Sequence, residues 1–284
     1  MKRKLYSVAR LFVAIALVSL AACTPEQTDY FQDPGRGDKV NAMQEIDFDI
    51  KVVVKNNTYK VIFAKHNLTQ KGLTAKESDL GAFYAWAALD TWYKYYVYSS
   101  GDSILSDVAF KDDKPGGYVP ANAQYYVLNS DSITGSYALY NNEHRLRVLD
   151  IERDDVAQHI LGADWQIPTL EMWEKLFSAT SGCNCEWVDI NGVYGCKVTK
   201  KGVPGYMFLP AAGKFVGQRG YEAGKTGNYW TCELNGEDIE MANTFCFYQE
   251  ETSSDPLLVV MDGKEYRHVG MPIRPVRLVY VKEQ

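Results

Sequence analysis

The chain has only four histidines in 284 residues, His66, His144, His159 and His268, and none falls in a His-Glu-x-x-His or comparable spacing. That excludes the helix-borne zinc hydrolase sites, and each histidine reads as a surface or internally hydrogen-bonded polar residue. No nucleophile stands beside a base in a recognisable motif, so the chain reads as non-catalytic and no cofactor is expected. No tandem repeat and no block of like charge stands out. Long apolar runs are missing too: Leu11 to Leu20 covers about ten residues, against the roughly 20 that a helix needs to cross a bilayer.

That short run has a context. Lys2, Arg3, Lys4 and Arg10 precede it and Leu20-Ala21-Ala22-Cys23 ends it. A cationic start, a short apolar stretch and small residues before a cleavage point form a secretion signal, here residues 1–22. Leu20-Ala21-Ala22-Cys23 resembles the lipobox of bacterial lipoproteins, which implies a diacylglyceryl group on Cys23. Several acyl chains on one residue hold a protein on a membrane without a spanning helix, since each buried CH₂ contributes about 0.8 kcal/mol. The expected location is the cell envelope, as an outer-membrane lipoprotein exposed at the surface. Residues 23–45 are polar, with Pro and Gly and no apolar period, and read as a flexible tether. Residues 46–284 are enough for one domain with a sizeable core. Without the four basic residues of the signal, 30 Lys and Arg fall to about 26 against 36 Asp and Glu, an acidic balance that argues against nucleic acid as a partner.

The folded part holds five cysteines, Cys183, Cys185, Cys196, Cys232 and Cys246. Disulfides persist outside the cytoplasm, and an odd number leaves at least one thiol free or paired between chains. Cys183-Asn184-Cys185 is too tight for a zinc knuckle and lacks a matching pair, so no metal site is assigned. Cys185 and Cys196 flank a turn expected at Asn191-Gly192, so a bridge across that hairpin can join Cys196 to Cys185 or to Cys183. Cys232 and Cys246 lie on strands expected to be neighbours and read as core thiols or a disulfide.

Alternation from Ile46 to Val52, then Asn56-Asn57, then Tyr59 to Phe63 predicts two strands and a turn. From Gly81 to Tyr140 the chain is rich in Tyr and Trp and broken by Gly, Pro, Asp and Ser, which predicts short strands and long loops. Asp154 or Asp155 can cap a short helix that carries Val156, Ile160 and Leu161 on one face and stops at Gly162. Thr169 can cap a second, with Leu170, Trp173, Leu176 and Phe177 as its apolar stripe and Glu171 near its positive end. Strand-like runs follow: 186–190, 193–198, 206–209, 229–234, 244–248, 257–261 and 273–281. Strands, two central helices, then more strands predict an α+β domain with helices on mixed or antiparallel sheet.

Several segments carry a resemblance. Trp165-Gln166-Ile167-Pro168-Thr169 with Glu171-Met172-Trp173 resembles the W-R-[LM]-P-T-x-x-E-W segment of the Fibrobacter succinogenes major paralogous domain, common in surface lipoproteins of Bacteroidetes. Asn67-Leu68, Gly81 to Trp86, Asp154-Asp155-Val156-Ala157, Phe208 to Gly213, Tyr229-Trp230 and Ile273 to Arg277 are similar, in order, to further motifs of that family. Gln166 replaces the usual Arg, and Thr231-Cys232 replaces two serines. The resemblance implies a C-type lectin-like fold, in which the chain ends pair in one small sheet, two helices pack on the sheets, and a long loop region carries whatever binds. The fold implies no single function. The loop motifs of calcium-dependent lectins, Glu-Pro-Asn or Gln-Pro-Asp with Trp-Asn-Asp, do not occur. The closely spaced cysteine pair of the similar formylglycine-generating enzymes is also missing, which sets an enzyme reading last.

Trp92, Tyr93, Tyr95 and Tyr96 crowd one stretch, and aromatic faces stack on sugar rings or anchor protein partners. The expected function is therefore binding of a glycan or a protein partner through the segment from Asp90 to Asn142. The alternative is a structural or accessory part of a fimbrial or envelope assembly. Arg274 and Arg277 read as buried partners of Asp or Glu. Asp102-Ser103-Ile104 and Asp131-Ser132-Ile133 resemble the O-glycosylation sequon of Bacteroides-like organisms, which makes Ser103 and Ser132 expected attachment points.

Overall fold

A computed structural model describes residues 44–91, 95–99, 102–106, 117–130, 135–143, 146–250 and 257–282. The expected signal, Cys23, nearly all of the tether, Trp92, Tyr93, Ser132 and His144 lie outside the described residues.

Period-two burial builds the first hairpin. In β1 (Glu45–Val54), Ile46, Phe48, Ile50 and Val52 are buried and the residues between them are not. β1 pairs antiparallel with β2 (Asn57–Ala64) up to Val54 opposite Asn57, leaving Lys55 and Asn56 as the turn, with φ of 48° and 66°. Two left-handed residues in a two-residue loop make a type I′ turn, whose twist matches that of its strands. The turn therefore sits one residue earlier than the expected Asn56-Asn57, because the buried alternation on both strands fixes the register. β16 (Val276–Tyr280) pairs with the other side of β2 and with β7 (Trp165–Gln166), giving the order β1-β2-β16-β7. β16 begins three residues after the expected start; Pro275 has no N–H to give a ladder.

Capping sets the helices. Asp150 accepts from the Arg153 N–H at the start of α1 (Ile151–Asp154), a turn the sequence reading did not find. Asp155 caps α2 (Val156–Leu161) by accepting from the N–H groups of Ala157 and Gln158, and Gly162 follows at φ 106°. Thr169 accepts from Met172 at the start of α3 (Leu170–Phe177), which buries Met172, Trp173 and Leu176. Glu233 accepts from the Leu170 N–H at 2.6 Å, a carboxylate at the positive end of the helix dipole.

The remaining strands form further sheets. β8 (Cys183–Ile190), β9 (Val193–Lys200) and β10 (Met207–Pro210) run in the order β10-β9-β8; β13 (Thr226–Leu234), β14 (Met241–Glu250) and β15 (Leu257–Tyr266) run in chain order. With α3 and the first sheet they enclose a core in which Trp173 stacks on Phe245 at 4.4 Å and 8°. β3 (Tyr95–Ser99) and β4 (Asp102–Ser106) extend β12 (Arg219–Tyr221) and β11 (Lys214–Val216) into a sheet ordered β11-β12-β4-β3. β5 (Tyr126–Leu128) pairs with β6 (Gly135–Tyr137). Every ladder between these strands is antiparallel. The protein is thus α+β, dominated by antiparallel sheet with few helices. Three-residue strands such as β11 and β12 hold too few side chains to display a period, which is why the sequence reading missed them.

Candidate functional site

The motif segments meet inside the molecule. Arg274, fully buried, donates to the Asn67 Oδ1 (2.9 Å) and to the carbonyls of Ala64 (3.2 Å) and Phe208 (2.7 Å). Asn67 also donates to the Leu80 carbonyl and to the hydroxyl of Tyr229, which itself donates to the Pro210 carbonyl. Gly81 follows at φ 81°, and a Cβ there would stand 2.6 Å from the Asn67 Cβ, so this approach of two backbones requires glycine. The Trp86 indole donates to the Thr231 carbonyl and the Trp230 indole to the Tyr84 carbonyl. These residues hold distant segments together and are closed to a ligand. The expected carboxylate partner of Arg274 is corrected by this geometry, since three uncharged acceptors satisfy the guanidinium. Arg277 does have one, Glu45 at 2.6 Å.

A second buried knot lies on the helices. Asp154 accepts from the hydroxyls of Tyr125 and Tyr140 and pairs with Arg153 at 2.8 Å. Asp155, also buried, accepts from Ala157, Gln158 and Ile167; burial outweighs those three donors and pushes its carboxyl up to about 6. His66 donates through Nδ1 to the Thr74 carbonyl, His159 is exposed, and His268 stacks on Tyr266. Among the described residues no group of three or more His, Cys, Asp or Glu side chains is placed to hold a metal ion.

A concave surface opens elsewhere. A cleft of about 750 Å³ is lined by Phe177 at the end of α3, by Cys183, Cys185 and Trp187 of β8, and by Gln249 and Val260 of the neighbouring sheet. Trp187 lies parallel to Tyr194 at 6.4 Å and edge-on to Phe247 at 6.1 Å. The sequence reading did not single out Trp187; the period-two row Cys183, Cys185, Trp187 was the available signal that these side chains share a face.

All five described cysteines are free thiols, and strand register sets which of them are neighbours. Cys183 stands opposite Lys200, while Cys196 stands opposite Trp187, four residues further along β8. Cys246 stands opposite Asn228, well before the irregular stretch between Trp230 and Leu234 that holds Cys232. Cys232 is a buried core thiol and burial pushes it well up. Cys246 is half-buried, donates to the Asn228 Oδ1 and contacts the Thr244 hydroxyl; burial pushes it up too. Tyr95 and Tyr96 lie on β3 and Ser103 on β4, so the segments carrying them are strands rather than loops. The chain matches none of the protein-family models, curated proteins or solved structures with which it was compared.

Proposed function

We propose that the chain is a lipid-anchored cell-surface protein that binds a glycan or a protein partner through a C-type lectin-like domain of the major paralogous type. The pairing of β16 with β2 supports the fold part of this reading, because strands from the two ends of the domain share one sheet while α3 packs beneath it. The observation that carries the binding part is the β3–β4 hairpin. It makes β3, with Tyr95 and Tyr96, the outermost strand of a four-stranded sheet, and an aromatic-rich sequence on a sheet edge suits recognition of another molecule.

The test is a glycan array probed with the purified full chain in detergent and with a variant in which Trp92, Tyr93, Tyr95 and Tyr96 are alanine and the thermal transition is retained. Saturable binding lost in the variant is expected; binding retained by the variant moves the site elsewhere. Lipid attachment is read separately, by incorporation of labelled palmitate that Cys23→Ser abolishes. One observation favours the assembly reading. Val53, Val54, Val279 and Tyr280 are all exposed at one end of the first sheet, and clustered exposed apolar residues mark contact surfaces. A stoichiometric co-purifying partner without glycan binding would select it.

A further inference from the structure

We propose that Cys185 and Cys196 form a redox-active thiol pair, in which Cys185 meets the oxidant at the cleft and Cys196 resolves it into a disulfide across the β8–β9 hairpin. The register makes the pair. Ile190 and Val193 close a two-residue turn at Asn191-Gly192, with φ of 56° and 80°. The closing pair of such a hairpin is hydrogen-bonded, so alternation makes Cys185 opposite Val198 and Trp187 opposite Cys196 non-hydrogen-bonded pairs, where strands run closest. Both cysteines then face the same side, diagonally. The right-handed twist draws the residue farther from the turn on the first strand toward the one nearer the turn on the second, close enough that each thiol shifts the other's ionisation. Closing to a bond of about 2.05 Å asks the strand backbones to move together, and among the described residues β8 is laddered to β9 alone, at the edge of its sheet. Cys183, opposite Lys200, is out of reach of Cys196.

The two sulfurs differ in access. Cys185 lines the cleft, whereas Cys196 is fully buried. The neighbouring Cys196 thiol lowers the Cys185 thiol, while burial holds Cys196 well above its ordinary value. A disulfide oxidant such as glutathione disulfide supplies the chemistry. The Cys185 thiolate attacks one of its sulfurs, breaking the S–S bond and releasing one glutathione thiolate, which takes up the proton of Cys196. Cys196 sulfur then attacks Cys185 in the mixed disulfide and expels the second glutathione as a thiolate. Two protein thiols are oxidised to one disulfide as one disulfide is reduced to two thiols. The link fixes the outer strand of the cleft wall to its neighbour, and nothing in this inference depends on the ligand-binding reading.

The experiment treats the purified full chain with glutathione disulfide, quenches in acid, alkylates in denaturant and maps peptides by mass spectrometry. Wild type is expected to yield a peptide linking Cys185 to Cys196, with Cys183, Cys232 and Cys246 alkylated. Cys196→Ser, or Cys196→Ala if the serine variant does not fold, is expected to retain glutathione on Cys185. Cys185→Ser is expected to leave Cys196 fully alkylated. In wild type Cys185 should lose its free thiol at least about tenfold faster than Cys232, since access and thiolate content set the rate. A link from Cys183 to Cys196, glutathione retained on Cys185 in wild type, or a Cys185 no faster than Cys232 would overturn the proposal.

Discussion

Two fully buried arginines occupy the interior and are held in opposite ways. Arg274 sits among acceptors, donating to Asn67, Ala64 and Phe208 across the first sheet and β10. Arg267 sits among rings: its guanidinium lies 3.6 Å from the Tyr137 ring centroid and 4.9 Å from that of Trp86. Its hydrogen bonds, to the carbonyls of Tyr140, Ile239 and Leu139, are long at 3.2 to 3.4 Å, and its Nε has no partner. Burial pulls both groups down to about 10. Burial alone therefore does not identify the arginine on which the fold depends; what would be orphaned by its removal does.

Substitution by methionine breaks that comparison most directly. Arg274→Met strands three buried acceptors at about 1 to 3 kcal/mol each, and a loss of roughly 3 to 5 kcal/mol in urea unfolding is expected. Next in size is Asp155→Asn, which turns an amide N–H₂ toward backbone donors and should cost about 1 to 3 kcal/mol. It also carries a pH signature. Because the folded carboxyl titrates near 6 rather than near 3.8, the folded state binds the extra proton between those values. This group's stabilisation is full below about pH 4 and is lost as pH rises through 6, by up to roughly 3 kcal/mol at 1.36 kcal/mol per unit. Asp155→Asn should flatten that slope in thermal melts taken from pH 4 to 7. Arg267→Met should fall within about 1 kcal/mol of wild type, since an apolar side chain of similar length fills an aromatic cage without orphaning a short hydrogen bond. Smallest is Glu45→Gln, which loosens a partly exposed ion pair with Arg277 and should cost at most about 1 kcal/mol, reduced by salt in the same unfolding assay. Equal losses for the two methionine variants would erase the distinction between the arginines.

Much of this was legible in the residues. The alternation of β1, the caps at Asp155 and Thr169 and the Asn191-Gly192 turn are local events, decided by side chains within a few positions of the backbone they satisfy. The motif residues Asn67, Gly81, Tyr229 and Arg274 were legible as a set, but not as one hydrogen-bonded hub, because their partners lie up to 210 positions apart. Arg267 carried no motif and went unread. The cleft was hidden for a related reason: its walls come from α3, β8 and the β14–β15 pair, and no segment alone is concave.

The strands with clear periods, the starts of α2 and α3 and the α+β class follow from the residues alone, since propensity, capping and period act over short range. That Arg274 takes neutral acceptors was settled by the packing of distant segments. The same packing decided that Trp187 borders a cleft. Both are choices among partners far apart in the chain, fixed by how the sheets pack and by which buried polar groups would otherwise go unsatisfied.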